Sequence, residues 1–236
     1  MTTDDLTVQV PRSGGWAAFG VLSIAALIAT QVFSFVTSPP DVNMGQLEKI
    51  MYVHVPAAWV MFICFAVVLV YSLRFLWKGR EEDDLLAAAA AEVGAIFNGL
   101  TLILGMIWGK PAWGVWWVWE ARLTSTLVLF LVFVGYLALR AFVEDPQRRG
   151  QWSAAVGILG ALNVPIVWMS VTWWRTLHQM PSTMQDMAKI YWVGMFANFV
   201  TMTLVVVYFI RRRYEAAAIV RAAEHAAQAA ALGGDE

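Results

Sequence analysis

The sequence predicts an all-α polytopic membrane protein, a bundle of six transmembrane helices with both termini cytoplasmic. Three observations lead there. First, 60% of the 236 residues are hydrophobic and mean hydropathy is +0.62. Second, only 14% are charged, against about 25% in a typical soluble domain. Half the usual charge cannot clothe a water-facing surface, so lipid must cover much of the chain. Third, the apolar residues form six continuous runs without strict alternation, which favours helices over a β-barrel.

A span needs about 20 mostly apolar residues. The runs cover 16–36, 53–77, 85–108, 123–143, 154–174 and 187–210. The first follows Asp4 and Asp5 rather than a basic stretch, and no A-x-A site follows it. It is expected to be a retained helix, not a cleaved signal peptide. Lys and Arg near the helix ends set orientation. One side carries Arg12, Arg74, Lys78, Arg80, Arg140, Arg148, Arg149, Arg211, Arg212, Arg213 and Arg221, eleven in all; the other carries Lys49, Lys110, Arg122, Arg175 and Lys189, five. The richer side is expected to be cytoplasmic, so loops 37–52, 109–122 and 175–186 face out. Residues 78–84 and 144–151 read as short polar connectors. Residues 1–15 read as a cytoplasmic N-terminal segment, 16–213 as the transmembrane domain and 214–236 as a cytoplasmic Ala-rich tail, itself a frayed helix.

Several chemistries are excluded early. Net charge is −1, so nothing draws the chain toward nucleic acid. Cys64 is the single cysteine; there is no disulfide framework within the chain, no CxxC pair and no c-type haem attachment motif. Residues 105–111 (GMIWGKP) lack the spacing and the Ser/Thr of a phosphate loop. Any ATP hydrolysis must come from a partner.

Only three histidines occur. His225 falls in the polar tail. His54 opens the second span in MYVHVPAAW, and His178 follows the fifth in SVTWWRTLH. Two imidazoles at one membrane level can ligate a metal from opposite sides. Haem iron fits, because the porphyrin plane leaves two axial positions. Between them in sequence stands WGVWWVWEARLT, residues 113–124, with Trp113, Trp116, Trp117 and Trp119 in seven positions. An interfacial aromatic belt accounts for one or two tryptophans per helix end, not for this cluster. Indoles offer flat faces to a large planar ligand and one N–H each. Gly114 permits an unusual backbone turn, and Arg122 suits a carboxylate such as a haem propionate. Arg175 and Lys110 are lesser candidates for that role.

Residues 113–124 closely resemble the tryptophan-rich signature of the haem-handling proteins of cytochrome c biogenesis. With six spans, HVPAAW around His54 and WWRTLHQ around His178, the chain resembles the CcmC family over roughly residues 16–210. The resemblance implies a transport protein rather than an enzyme. It implies non-covalent haem b held on the periplasmic side of a bacterial inner membrane, with His54 and His178 as axial ligands and Trp113, Gly114, Trp116, Trp117, Trp119, Glu120 and Arg122 around it. It implies delivery to a CcmE-type haem chaperone and work alongside a CcmA/CcmB/CcmD-type ABC complex. The family pattern has Asp where this chain has Glu120. The change bears on tight carboxylate placement, such as a capping bond at the start of the fourth helix.

Glu92 is the one acid well inside a span, a position that defaults to function; it is expected to reach water, face a partner subunit or serve proton or haem entry. Pro56 is expected in the first turn of its helix, and Pro165 to kink the fifth, with Asn163 satisfying freed backbone groups. Two rival readings remain. A membrane b-type cytochrome would pass electrons and never release haem. A secondary transporter would need more midplane polar groups than Glu92, Asn98, Asn163 and Asn198 supply.

Overall fold

The computed structural model describes residues 14–178 and 188–233, with side chains through 230. The expectations for residues 1–13, for most of the third outer loop and for Met187 lie outside the described residues. Among the described residues six helices are long and apolar enough to cross a membrane: α1 (Gly14–Thr37), α2 (Met51–Lys78), α3 (Glu81–Trp113), α4 (Ala121–Phe142), α5 (Pro146–Trp173) and α6 (Lys189–Gly233). No strand occurs among the described residues.

Local chemistry sets the helix ends. Gly79 closes α2 in the left-handed region (φ 64°), its N–H donating to the Phe75 carbonyl. Gly79 and Arg80 alone separate α2 from α3. Four acids, Glu81 to Asp84, occupy the first turn of α3, where the helix dipole favours negative charge. Asp145 caps α5 by accepting from the Arg148 N–H at 2.7 Å, with Pro146 at the first helical position, where a missing N–H is harmless.

α2 is the centre of the bundle. It packs against α3, α5 and α6, while α1 rests mainly on α6. Phe65 of α2 and Phe133 of α4 stack at 3.8 Å, flanked by Leu129, Tyr136 and Val167. α3 approaches α2 closely because it presents Ala87 to Ala91 and Gly94. A Cβ on Gly94 would lie 2.7 Å from the Phe65 ring. Small residues at such crossings are how membrane helices gain contact without a hydrophobic driving force. α1 and α6 are joined by polar side chains instead. Thr30 donates to Asn198 Oδ1 at 3.0 Å, and Asn198 Nδ2 donates to Ser34 at 2.8 Å.

The structure revises three local expectations. Pro56 is the sixth residue of α2, beyond its first turn. It therefore frees the Tyr52 carbonyl, and Gln31 of α1 donates to that carbonyl at 3.1 Å. Asn163 donates to the Ser125 carbonyl of α4 at 2.9 Å, so it ties α5 to α4 rather than healing the gap at Pro165. The connector at 78–84 is more than a connector. Asp84 takes Arg140 of α4 through two bonds at 2.6 and 2.9 Å, Asp83 pairs with Arg74 of α2 at 3.2 Å, and Glu81 with Arg221 of α6 at 2.7 Å. Glu92 pairs with Arg213. The start of α3 is thus clamped to three other helices at the arginine-rich end. α6 runs unbroken for 45 residues, about 68 Å at about 1.5 Å per residue, so the Ala-rich tail continues the sixth span.

Candidate functional site

The end of the bundle opposite the arginines opens into a recess of about 810 Å³, counting its mouth. α2 supplies His54, Trp59, Met61 and Phe62 to its wall; α3 supplies Thr101, Gly105, Met106 and Trp113. α4 adds Arg122 and Thr126, and α5 adds Val167 and Trp168. Trp117 enters from the tryptophan-rich loop and His178 from the segment after α5. The first outer loop contributes nothing to the wall. It is a tight turn instead: Asp41 accepts the Asn43 and Met44 N–H groups, each at 2.8 Å. Donation from Met44, then Asn43, holds the Asp41 carboxyl below its ordinary range.

His54 lies in the first turns of α2 and is buried. Gly105 makes its place, since a Cβ there would stand 3.2 Å from the imidazole Cε1. The Trp108 ring meets the imidazole edge-on at 5.6 Å. The Thr101 carbonyl lies close enough to interact with the ring, while Nδ1 is buried with no hydrogen-bond partner among the described residues. His178 is half-buried on the same recess, and Trp113 meets it edge-on, also at 5.6 Å. Each imidazole therefore has one indole against it.

The tryptophan-rich loop is shaped by its two ends. α3 runs on through Pro111 to Trp113 and stops where Gly114 turns left-handed (φ 78°), its N–H bonded to the Lys110 carbonyl at 3.0 Å. α4 begins at the cap residue Glu120, whose Oε1 accepts the Leu123 N–H at 2.8 Å. Glutamate is an unusual cap residue, yet its longer arm reaches. Between these ends Trp117 turns inward, its Nε1 buried without a partner among the described residues. Trp119 packs edge-on against Trp117 at 5.4 Å but is 74% exposed, and Trp116 is 58% exposed. Trp116, Trp119, Gly114 and Glu120 stand off the wall.

Arg122 is held across to α5, donating from Nη2 to the Trp168 carbonyl at 3.1 Å and from Nε to Ser170 at 3.4 Å. It has no ion pair among the described residues. Lys110 donates to the Gly114 carbonyl at 2.8 Å, and Arg175 is exposed; neither lines the recess.

His54, His178, Trp113, Trp117 and Arg122 are thus brought together. Trp59, Phe62, Gly105, Met106, Thr126 and Trp168 join them without having been singled out from sequence. No cluster of three His, Cys, Asp or Glu occurs among the described residues. Two imidazoles in an aromatic recess suit a metal that carries its own equatorial ligands better than a bare ion.

The chain matches the family described as CcmC, heme exporter protein C, over residues 10–229. It is 42% identical over 159 residues to a protein named heme exporter protein C in Bradyrhizobium diazoefficiens, covering 67% of this chain and 60% of that protein. It is 39% identical over 172 residues to the protein of that name in Escherichia coli K12, covering 72% and 69%. A third of that name, from Paracoccus denitrificans, is 37% identical over 177 residues, covering 73% and 72%. The first of these relatives is thus matched over less than two thirds of its length.

Proposed function

The chain belongs to the CcmC family, heme exporter protein C, and from that premise we propose that it holds haem b non-covalently as cargo and hands it on for cytochrome c maturation. In this reading His54 and His178 are the axial ligands. Trp113 and Trp117 lie along the macrocycle. Arg122, joined by the Trp117 N–H, meets a propionate with the geometry guanidinium favours. The observation that carries the reading is the meeting of both imidazoles on one aromatic recess. The buried, unpartnered His54 Nδ1 supports it as well.

The bound haem supplies the iron and the planar, carboxylate-edged body; the protein does the rest. Gly105 and Trp108, one turn apart on α3, fix the His54 ring, and the Trp168 carbonyl and Ser170 aim Arg122. His54 is deep, between α2 and α3, while His178 stands in the segment after α5, so the two ligands differ in how easily each can leave. Trp116 and Trp119, exposed on the loop, form the face toward an acceptor, a CcmE-type chaperone. A CcmA/CcmB/CcmD-type ABC complex supplies any nucleotide-driven step. The arginine-rich end faces the cytoplasm of a bacterial cell and the recess faces the periplasm, following the bias of Lys and Arg.

A second reading draws on the burial of His54: a b-type cytochrome that keeps its haem. Mixing haem-loaded protein with an apo chaperone separates the two. Delivery predicts that the haem absorbance moves to the acceptor on separation. Haem that cycles between oxidation states and never leaves refutes the delivery reading.

A further inference from the structure

Two further cavities meet at the arginine-rich end. One is a groove between α3 and α4 of about 1260 Å³, counting its open side. Ala95 and Gly99 line it with little side chain, and Phe130 lies so close to Gly99 that a Cβ there would come within 3.2 Å of its ring. Ile96 and Ile103 on its wall are 69% and 53% exposed. The second cavity, about 620 Å³ counting its open side, lies where the start of α5 and the extension of α6 face the start of α3 and the end of α4. Arg140 lines both. Arg213, on the second, pairs with Glu92, on the first.

The second cavity carries four guanidiniums, Arg140, Arg149, Arg213 and Arg221, against the single carboxylate of Glu224. Three have carboxylate partners: Asp84 for Arg140, Glu92 for Arg213, and Glu81 with Glu224 for Arg221. Arg149 has no ion pair among the described residues, and its Nε is buried without a hydrogen-bond partner. Ala216 and Ala217 leave the cavity wall open with no bulky side chain of their own.

We propose that this composite site binds an anionic glycerophospholipid, its phosphate against Arg149 and an acyl chain along the α3–α4 groove. An apolar slot that ends at Arg140, beside a cavity holding the unmatched guanidinium of Arg149, fits an amphiphile with a negative head. A purely apolar partner helix would fill the slot and leave Arg149 unmatched. The site also lies at the arginine-rich end, where basic pockets between transmembrane helices meet anionic headgroups. Such a lipid would bridge α3, α4, α5 and α6 at the end away from the haem recess.

The test uses the full chain in mild detergent, washed free of lipid and supplied with phosphatidylglycerol or phosphatidylcholine. Native mass spectrometry then counts what is retained. Wild type should keep one phosphatidylglycerol in preference to phosphatidylcholine. Arg149→Gln should lower phosphatidylglycerol retention about fivefold and leave phosphatidylcholine unchanged. Arg148→Gln, at an exposed neighbour outside the cavity, should match wild type. Ala217→Phe, which fills the cavity, should repeat the loss; if neither cavity variant folds, the wild-type headgroup preference decides. Equal retention of both lipids by wild type, or undiminished retention in the cavity variants, overturns the proposal. So does haem that persists in a His54→Ala/His178→Ala protein and is lost with Arg149→Gln, or a groove occupied by a partner's transmembrane segment with no lipid retained.

Discussion

Replacing Gly105 with alanine puts a methyl carbon 3.2 Å from His54 Cε1 and 3.9 Å from Nδ1. The shorter distance is tighter than ordinary carbon contacts of about 3.5–4.0 Å, so the imidazole must move by a few tenths of an ångström. Trp108 already stands at one edge of the ring, and the ring is buried, which limits where it can go. Overpacking of this size costs about 1–3 kcal/mol. Charged to the bound state, that is a loss of haem affinity of roughly 5- to 150-fold. The share of that cost borne by the haem-free protein is offset by up to about 1 kcal/mol of helix propensity, so its stability should fall by no more than about 2 kcal/mol. Haem titration followed by the visible spectrum, together with thermal unfolding of the haem-free protein, reads both effects. Gly135→Ala is the control, because a Cβ there meets nothing within 4 Å. Wild-type affinity and an unaltered spectrum in Gly105→Ala would refute the placement of His54 on the iron.

Other expectations follow from single contacts. Gln31→Ala leaves the Tyr52 carbonyl opposite Pro56 unsatisfied and should lower stability by about 1–3 kcal/mol, measured by thermal unfolding in detergent; adding Pro56→Ala should recover part of the loss. Asp84→Ala strands Arg140, buried apart from 13% of its side chain, and should destabilise by about 3–5 kcal/mol, with Arg140→Leu added in the same chain largely restoring stability. Glu120→Ala removes the cap bond to Leu123 and should cost about 1 kcal/mol, while Glu120→Asp should cost less. Asp41, its carboxyl held low by the Met44 and Asn43 N–H groups, stabilises its turn above the usual aspartate range. That contribution should disappear as pH falls through the lowered value, so hydrogen exchange at Met44 should quicken in acid in wild type and be insensitive to pH in that range, once intrinsic rates are divided out, in Asp41→Asn.

The six spans were legible because apolar runs of the right length have no other solution in one chain. Their ends were less so. α3 passes the expected end near Trp108 and runs through Pro111 to Trp113, because proline late in a helix frees one carbonyl without stopping the turn. α5 begins at Pro146, inside what read as a loop, although Asp145-Pro146 is a cap signal visible in the sequence. The histidines and the tryptophan cluster stood out because such residues are scarce or crowded. Trp59, Trp168, Gly105 and Met106 are ordinary residues of apolar helices. Only the crossing of α2, α3, α4 and α5 gathers them at the recess, and crossing geometry is not written in any one segment. The ionic clamp of α3 was hidden for the same reason: its partners come from α2, α4 and α6.

The most direct measurement is the low-temperature electron paramagnetic resonance spectrum of the ferric haem-loaded protein beside His54→Ala and His178→Ala. Two imidazoles on one iron require a low-spin wild-type signal, replaced in each variant by high-spin iron or lost with the haem. A low-spin signal of wild-type shape and intensity in either variant would contradict the shared-iron site.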